Sequence, residues 1–194
     1  MSTQIPRMHR HGGWLKPSLI FFFVGLLSCY GVGFAGAVHL SERHTLNFDS
    51  NSKKMIGEKD FKEIHQFFHD AEAAIETKNM EALMDLYSDN YINGPHKKDS
   101  VKKIWETIFS QFDDLYTMHN MRFVTSSSDS GVIIINCSGL LMGVPKGEMD
   151  LIAIDNWVNN DHILAKENGK WKLIGTSGKE LKRFWFDKPL HPLF

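Results

Sequence analysis

Three patterns of apolar and polar positions succeed one another along the chain. Ser18 to Val38 is a run of twenty-one residues without a charge. As a helix rising about 1.5 Å per residue, it would cross the roughly 30 Å hydrocarbon layer of a bilayer. From Asp60 the apolar residues Phe61, Ile64, Phe68, Ala71 and Ile75 step by three and four, which predicts an amphipathic helix with one buried stripe. Asn79 ends it, and Glu81 to Tyr87 predicts a short second helix with Leu83, Leu86 and Tyr87 inward. Asn93-Gly94-Pro95 is a turn. Val101, Ile104, Trp105, Ile108, Phe112 and Leu115 restore the helical spacing. A third helix is therefore expected from about Lys98 to Leu115, capped by Asp99 or Ser100.

Beyond Leu115 the period shortens. Met118 to Thr125, Gly131 to Met142, Glu148 to Lys166 and Lys170 to Ser177 are rich in Val, Ile, Trp and Phe with polar residues interleaved. They predict four long strands. The Ser126 to Gly131 stretch and Val144-Pro145-Lys146-Gly147 separate them, and Asn168-Gly169 is a strong hairpin signal. Helices followed by an antiparallel sheet define an α+β domain. A two-residue loop at Asn168-Gly169 would set Lys166 opposite Trp171, Leu164 opposite Leu173 and His162 opposite Gly175, so that these side chains share a face. Ile163, Ala165 and Ile174 then occupy the other face, also apolar, where a second subunit could give cover.

Charge divides the chain. Arg7, Arg10 and Lys16 are the only charged residues up to Val38, so residues 39–194 hold 19 of the 22 basic side chains and all 23 acidic ones, a net of −4. No basic stripe is present, which argues against nucleic-acid binding. Basic residues ahead of the apolar run leave the N-terminus cytoplasmic and the domain periplasmic or extracellular. Three fates of residues 18–38 share that topology. They are a retained single-pass anchor, a lipoprotein lipidated at Cys29 within a lipobox-like Leu26-Leu27-Ser28-Cys29, and cleavage after Ala35-Gly36-Ala37. The organisation expected is a basic tail (1–17), the membrane segment (18–38), a polar tether (39–59), the α+β domain (60–178) and an aromatic tail (179–194).

The segment Met84-Asp85-Leu86-Tyr87-Ser88-Asp89-Asn90-Tyr91 follows the first helix. A meander then closes on His162-Ile163-Leu164-Ala165-Lys166-Glu167-Asn168-Gly169-Lys170-Trp171-Lys172-Leu173-Ile174. In that order the two resemble the NTF2-like (SnoaL-like) superfamily over Phe61 to Ser177. The resemblance implies a curved sheet of four or more strands wrapped round a long helix to form a cone with an apolar pocket. Its members include isomerases, dehydratases and cyclases as well as proteins that only bind. In its isomerase-like members a carboxylate base stands just before a proline after the second helix. The matching position here is Gly94, before Pro95 and after Asn93, so that base is missing.

The remaining candidate base is His162, with Tyr87 or Tyr91 as its helper, and Tyr87, Tyr91, Trp105, Asn160 and Trp171 would line a ligand pocket. Asp155, Asn159 and Asp161 alternate onto one face of the third strand, and Asn156 and Asn160 onto that of His162, a pattern that fits a pocket lining or a polar edge strand. His65 and His69, one helical turn apart with Glu72 beyond, read as solvated or half-buried helix residues, and Cys137, with no histidine partner near it in sequence, as a small core residue, so no metal and no cofactor is expected. The tail places Phe184, Trp185, Phe186, Leu190, Leu193 and Phe194 next to Lys182 and Arg183. Those six either cover the sheet or dock on a membrane-complex partner or the bilayer. The sequence therefore favours a membrane-tethered accessory or scaffold domain that binds a partner in a membrane complex or a small apolar ligand, without catalysis; the alternative is a SnoaL-like isomerase, dehydratase or cyclase using His162 as general base.

Overall fold

The computed structural model describes residues 43–127 and 131–177. The apolar run Ser18–Val38 with Cys29, and the aromatic tail from Phe184 to Phe194, lie outside the described residues. Among the described residues no helix is long and apolar enough to cross a membrane.

The order of elements is β1 (His44–Phe48), α1 (Ser52–Ile56), α2 (Glu58–Glu76), α3 (Met80–Asp85), β2 (Tyr87–Asn93), β3 (His96–Lys97), α4 (Lys98–Gln111), β4 (Phe112–Ser127), β5 (Val132–Pro145), β6 (Ile152–Glu167) and β7 (Lys170–Ser177). The strands make one sheet in the order β1-β4-β5-β6-β7-β2-β3. Neighbours in it are antiparallel except the β1–β4 and β2–β7 pairs. The α+β class is as expected from the sequence, and the long β4 to β7 meander is its spine.

The long first helix forms as its spacing dictates, with Ile64, Phe67, Phe68, Ala71, Ala74 and Ile75 buried. It stops where Lys78 turns to a φ of 52°, and Asn79 caps α3 by accepting from the Ala82 amide at 3.1 Å. Three expectations are corrected. Residues 39–59 are not simply a tether, because His44, Leu46 and Phe48 alternate inward on β1. Phe48 packs on Phe61 and Phe68 with ring centroids 5.3 and 6.3 Å away. The third helix ends at Gln111 rather than Leu115, since Phe112 turns to φ −114°, ψ 142° and inward Leu115 fits the strand period as well as the helical one. Ser100 sits in the first turn of α4 and exchanges bonds with the Lys97 amide and carbonyl, both at 2.8 Å.

The third correction concerns register. The β6–β7 hairpin opens as predicted, with Lys166 opposite Trp171 and Leu164 opposite Leu173, but a bulge then pairs His162 with Thr176 and Ile163 with Gly175. A second bulge sits between Trp157 and Asn160, where Asn159 has a φ of 54°. It switches the parity of β6. Asp155 and Trp157 point inward before it, and Asn160, His162 and Leu164 after it. The strand lies in the middle of the sheet rather than at an edge, and Asn156 stays exposed. On the outer face, Arg122 Nε donates to Asn136 at 3.1 Å, Asn136 Nδ2 to Asp161 at 2.7 Å and Ser177 Oγ to Asp161 at 3.2 Å, a polar ladder across four strands.

Candidate functional site

The inward odd residues of β4 are Leu115, Thr117, His119, Met121 and Phe123. His119 faces Gly139 on β5, and Gly139 faces Trp157 on β6. Because Gly139 has no side chain, the Trp157 indole reaches across it to His119, with ring centroids 5.1 Å apart. Its Nε1–H donates to Cys137 Sγ at 3.1 Å. Cys137 Sγ lies 3.5 Å from His119 Nδ1. Burial raises the Cys137 thiol to about 12 and lowers His119 to about 3. The pair therefore consists of a thiol and a neutral imidazole within hydrogen-bond reach of each other.

His162 completes this cluster from β6. It is fully buried, and neither ring nitrogen has a hydrogen-bond partner. Burial lowers it to about 4, so it is neutral at neutral pH. The Phe68 ring lies 5.8 Å away, where a ligand beside His162 would have to sit. The ligand atoms of His119, Cys137 and His162 lie within 4.8 Å of one another, the one such three-residue group among the described residues.

A second polar chain starts at β1. Thr117 Oγ1 donates to Glu72 Oε1 at 3.4 Å and lies 2.6 Å from His44 Nδ1, while His44 Nε2 sits 3.7 Å from Glu76 Oε2. Burial raises Glu72 to about 8 and is the main cause that lowers His44 to about 4. Both are therefore held in their neutral forms at neutral pH. Glu72, read as a solvated neighbour of His65 and His69, is 6% exposed, whereas those two histidines remain exposed. Between the two clusters is a cavity of about 10 Å³ lined by Ile75, Trp105, Thr117, His119, Leu141, Asp155 and Trp157. That is about the space of one water.

The chain through His44 yields a stability prediction. An unfolded histidine takes up its proton near pH 6.5, while folded His44 resists until about 4. The folded state therefore loses stability as pH falls through that window, by about 3 kcal/mol for this residue. In urea titrations between pH 7 and pH 4, His44→Gln should lose that share of the acid-side slope. Parallel slopes for the two proteins would count against it.

The other sequence-selected residues divide into two places. Tyr87 and Tyr91 meet edge to face at 5.0 Å, Trp105 Nε1 donates to Tyr87 Oη at 3.3 Å, and Tyr91 Oη lies 3.4 Å from Thr176 Oγ1. All three aromatics are core residues. Trp171 instead donates to Glu63 at 3.0 Å under the Lys166 ammonium, which stands 4.8 Å from the ring centroid. It lines an open groove of about 320 Å³ between α2 and β7. Asn160 is inward and opposite Cys137. Asn93 donates its amide to Thr176 Oγ1 within the core, and Gly94 turns at a φ of 53° before Pro95. His119 and the Glu72–Thr117–His44 chain carry no motif or spacing that marks them in the sequence. The inward alternation of β4 was the available signal for His119.

A long helix against a curved meander, with polar groups buried between them, is the architecture of the NTF2-like fold, and this domain has it. Solved structures that share it include a candidate scytalone dehydratase from Novosphingobium aromaticivorans (14% identity, 65% of this chain and 91% of that one, TM-score 0.52). A conserved protein from Planctomyces limnophilus (11%, 62% and 95%, 0.52) and Aln2 from a Streptomyces species (8%, 63% and 90%, 0.51) also share it. The chain spans 41% of the length of Bd1075 from Bdellovibrio bacteriovorus, to which it is similar at a TM-score of 0.46. Identities this low speak to fold and not to chemistry. No protein-family model matches the chain, and no curated protein does.

Proposed function

We propose that this chain is a membrane-tethered NTF2-like accessory or scaffold subunit that works by holding a partner rather than by catalysis. The observation that carries this reading is the filled interior. Where an NTF2-like enzyme needs an open pocket, Phe68, Trp105 and Trp157 occupy the space, and the void beside His119 has about 10 Å³. The enzyme alternative would use His162 as a base. It has the free lone pair, but among the described residues the ring is fully buried and the void near it is far too small for an organic substrate, and Gly94 stands where the isomerase-like carboxylate would be.

The outer face of the sheet supports an interaction role. Ile134 lies opposite Ile163, Ile163 opposite Gly175, and Gly175 opposite Ile92, so three isoleucines share one row across the outside of four strands. Ile92 is 57% exposed. A partner protein or a second copy of the chain would cover this row. The uncharged Ser18–Val38 segment supplies the tether, and the aromatic tail from Phe184 to Phe194 the second contact.

The test compares the full chain with a version lacking Lys188 to Phe194, both extracted from membranes in mild detergent and sized by light scattering with identification of bound proteins. The full chain should stay with the membrane through an alkaline carbonate wash and carry a stoichiometric partner or second copy that the shortened chain loses. Release by carbonate would overturn the tether, and an identical set of bound proteins would overturn tail docking. A turnover lost specifically in His162→Ala would favour the enzyme reading.

A further inference from the structure

We propose that His119, Cys137 and His162 form a buried zinc site that ties β4, β5 and β6 together behind the sheet. Sequence spacing concealed it, because each ligand comes from a different strand and no two are close in the chain. The donor set suits the ion. Two neutral imidazoles and one thiolate are borderline-to-soft ligands that select zinc over magnesium or calcium. Ligands at about 2.3 Å for sulfur and about 2.05 Å for nitrogen, at a tetrahedral angle on one ion, stand about 3.5 Å apart. Cys137 Sγ and His119 Nδ1 are separated by 3.5 Å. The third donor, from His162, is within 4.8 Å of both, and a swing of about an ångström in its ring would close the triangle.

The independent observation is the state of His162. A fully buried imidazole with neither nitrogen bonded leaves a desolvated polar group uncompensated. A metal ion would use one of those lone pairs. Around the triad the next shell is also ready. Trp157 Nε1–H already donates to Cys137 Sγ at 3.1 Å. Asn160, cross-strand from Cys137 and 2% exposed, has an Nδ2 without a partner. Both donors would hold a thiolate better than a thiol. Binding replaces the S–H bond of Cys137 by a sulfur–zinc bond, and the proton leaves to the buffer. No electron is transferred.

The experiment uses the full chain in detergent, stripped of metal by unfolding with a chelator, then refolded with one equivalent of Co2+ or Zn2+. Cobalt should give a thiolate-to-metal charge-transfer band and tetrahedral visible bands that saturate at one ion per chain and vanish on adding Zn2+. Zinc should raise the melting temperature. Cys137→Ser and His162→Gln should lose both effects, while Cys29→Ser and the exposed pair His65→Ala/His69→Ala should keep them. Circular dichroism establishes that each variant is folded. Should a variant not fold, the natural chain still decides. No charge-transfer band and no thermal shift in it would overturn the site, as would a band that survives Cys137→Ser or uptake of Cu+ without Zn2+ or Co2+.

Discussion

Replacing Glu72 with glutamine will make the domain more stable than the natural sequence above pH 8, and leave the two nearly equal below pH 4.5. Glu72 is almost fully buried on α2, and burial pushes its carboxyl from 4.5 to about 8. Below pH 4.5 the group is protonated in both folded and unfolded chains, so it makes no difference to folding. As pH rises past 4.5 the unfolded chain releases the proton and the folded one does not. Stability therefore falls up to about pH 8, where folded Glu72 ionises too and the loss levels off. At about 1.4 kcal/mol for each pH unit between the two values, the whole loss is on the order of 3–5 kcal/mol, allowing for relaxation around the charge. Glutamine keeps an oxygen for the Thr117 hydroxyl, which donates to Glu72 at 3.4 Å, and cannot ionise. Denaturant titrations of both proteins at half-unit steps from pH 4.5 to pH 9 measure the gap. Curves that run parallel across that range would show that Glu72 ionises freely in the fold.

The elements that the sequence made legible are those whose apolar spacing is unambiguous. The stripe from Phe61 to Ile75 could only be a helix, and the Asn168-Gly169 turn set the first pairs of the β6–β7 hairpin correctly. The elements it concealed are those where a polar residue takes an inward place. On β1, His44 occupies the first buried position of an alternating pattern, so His44-Thr45-Leu46-Asn47-Phe48 carries too few apolar residues to stand out from the polar stretch around it. On β2, Ser88 and Asn93 are buried beside Tyr87 and Tyr91, which disguised a strand within the segment that carried the family resemblance.

Bulges explain the rest of the misplacement. Simple alternation along β6 put Asp155 and Asn159 with Asp161, yet the left-handed Asn159 shifts the strand by one residue and sends Asp155 inward with Trp157. A side chain cannot be assigned a face past such a point without knowing that the bulge is there. The candidate site suffered most. His162 was selected from its hairpin, but its companions His119 and Cys137 reach it only through the sideways pairing of β4, β5 and β6, which no local pattern encodes. Cys137 has no histidine near it in sequence; the strand order supplies one.

Gly139→Ala will be among the most damaging single substitutions in this domain, costing more than about 3 kcal/mol, at the upper end for overpacked cores. A Cβ at Gly139 would stand 2.2 Å from Trp157 Cζ2, 2.5 Å from Trp157 Cε2 and 2.4 Å from the Met118 carbonyl oxygen. Two of those contacts belong to a side chain and one to backbone, which separates two causes. Pairing Gly139→Ala with Trp157→Leu removes the ring and should recover part of the loss, a coupling of about 1–3 kcal/mol between neighbouring sites. It should not recover all of it, because the Met118 carbonyl belongs to the β4 ladder and cannot withdraw without breaking the pairing of Met118 with Leu140. Tryptophan emission offers a second readout. Trp157 is 3% exposed and bonded to Cys137, so displacing it in the folded single variant should shift its emission to the red. A Gly139→Ala domain within 1 kcal/mol of the natural one would mean that β4 and β6 yield far more easily than their pairing implies. Trp157 would then not be the rigid bar that closes the interior against a substrate, and a filled interior would no longer speak for a non-catalytic role.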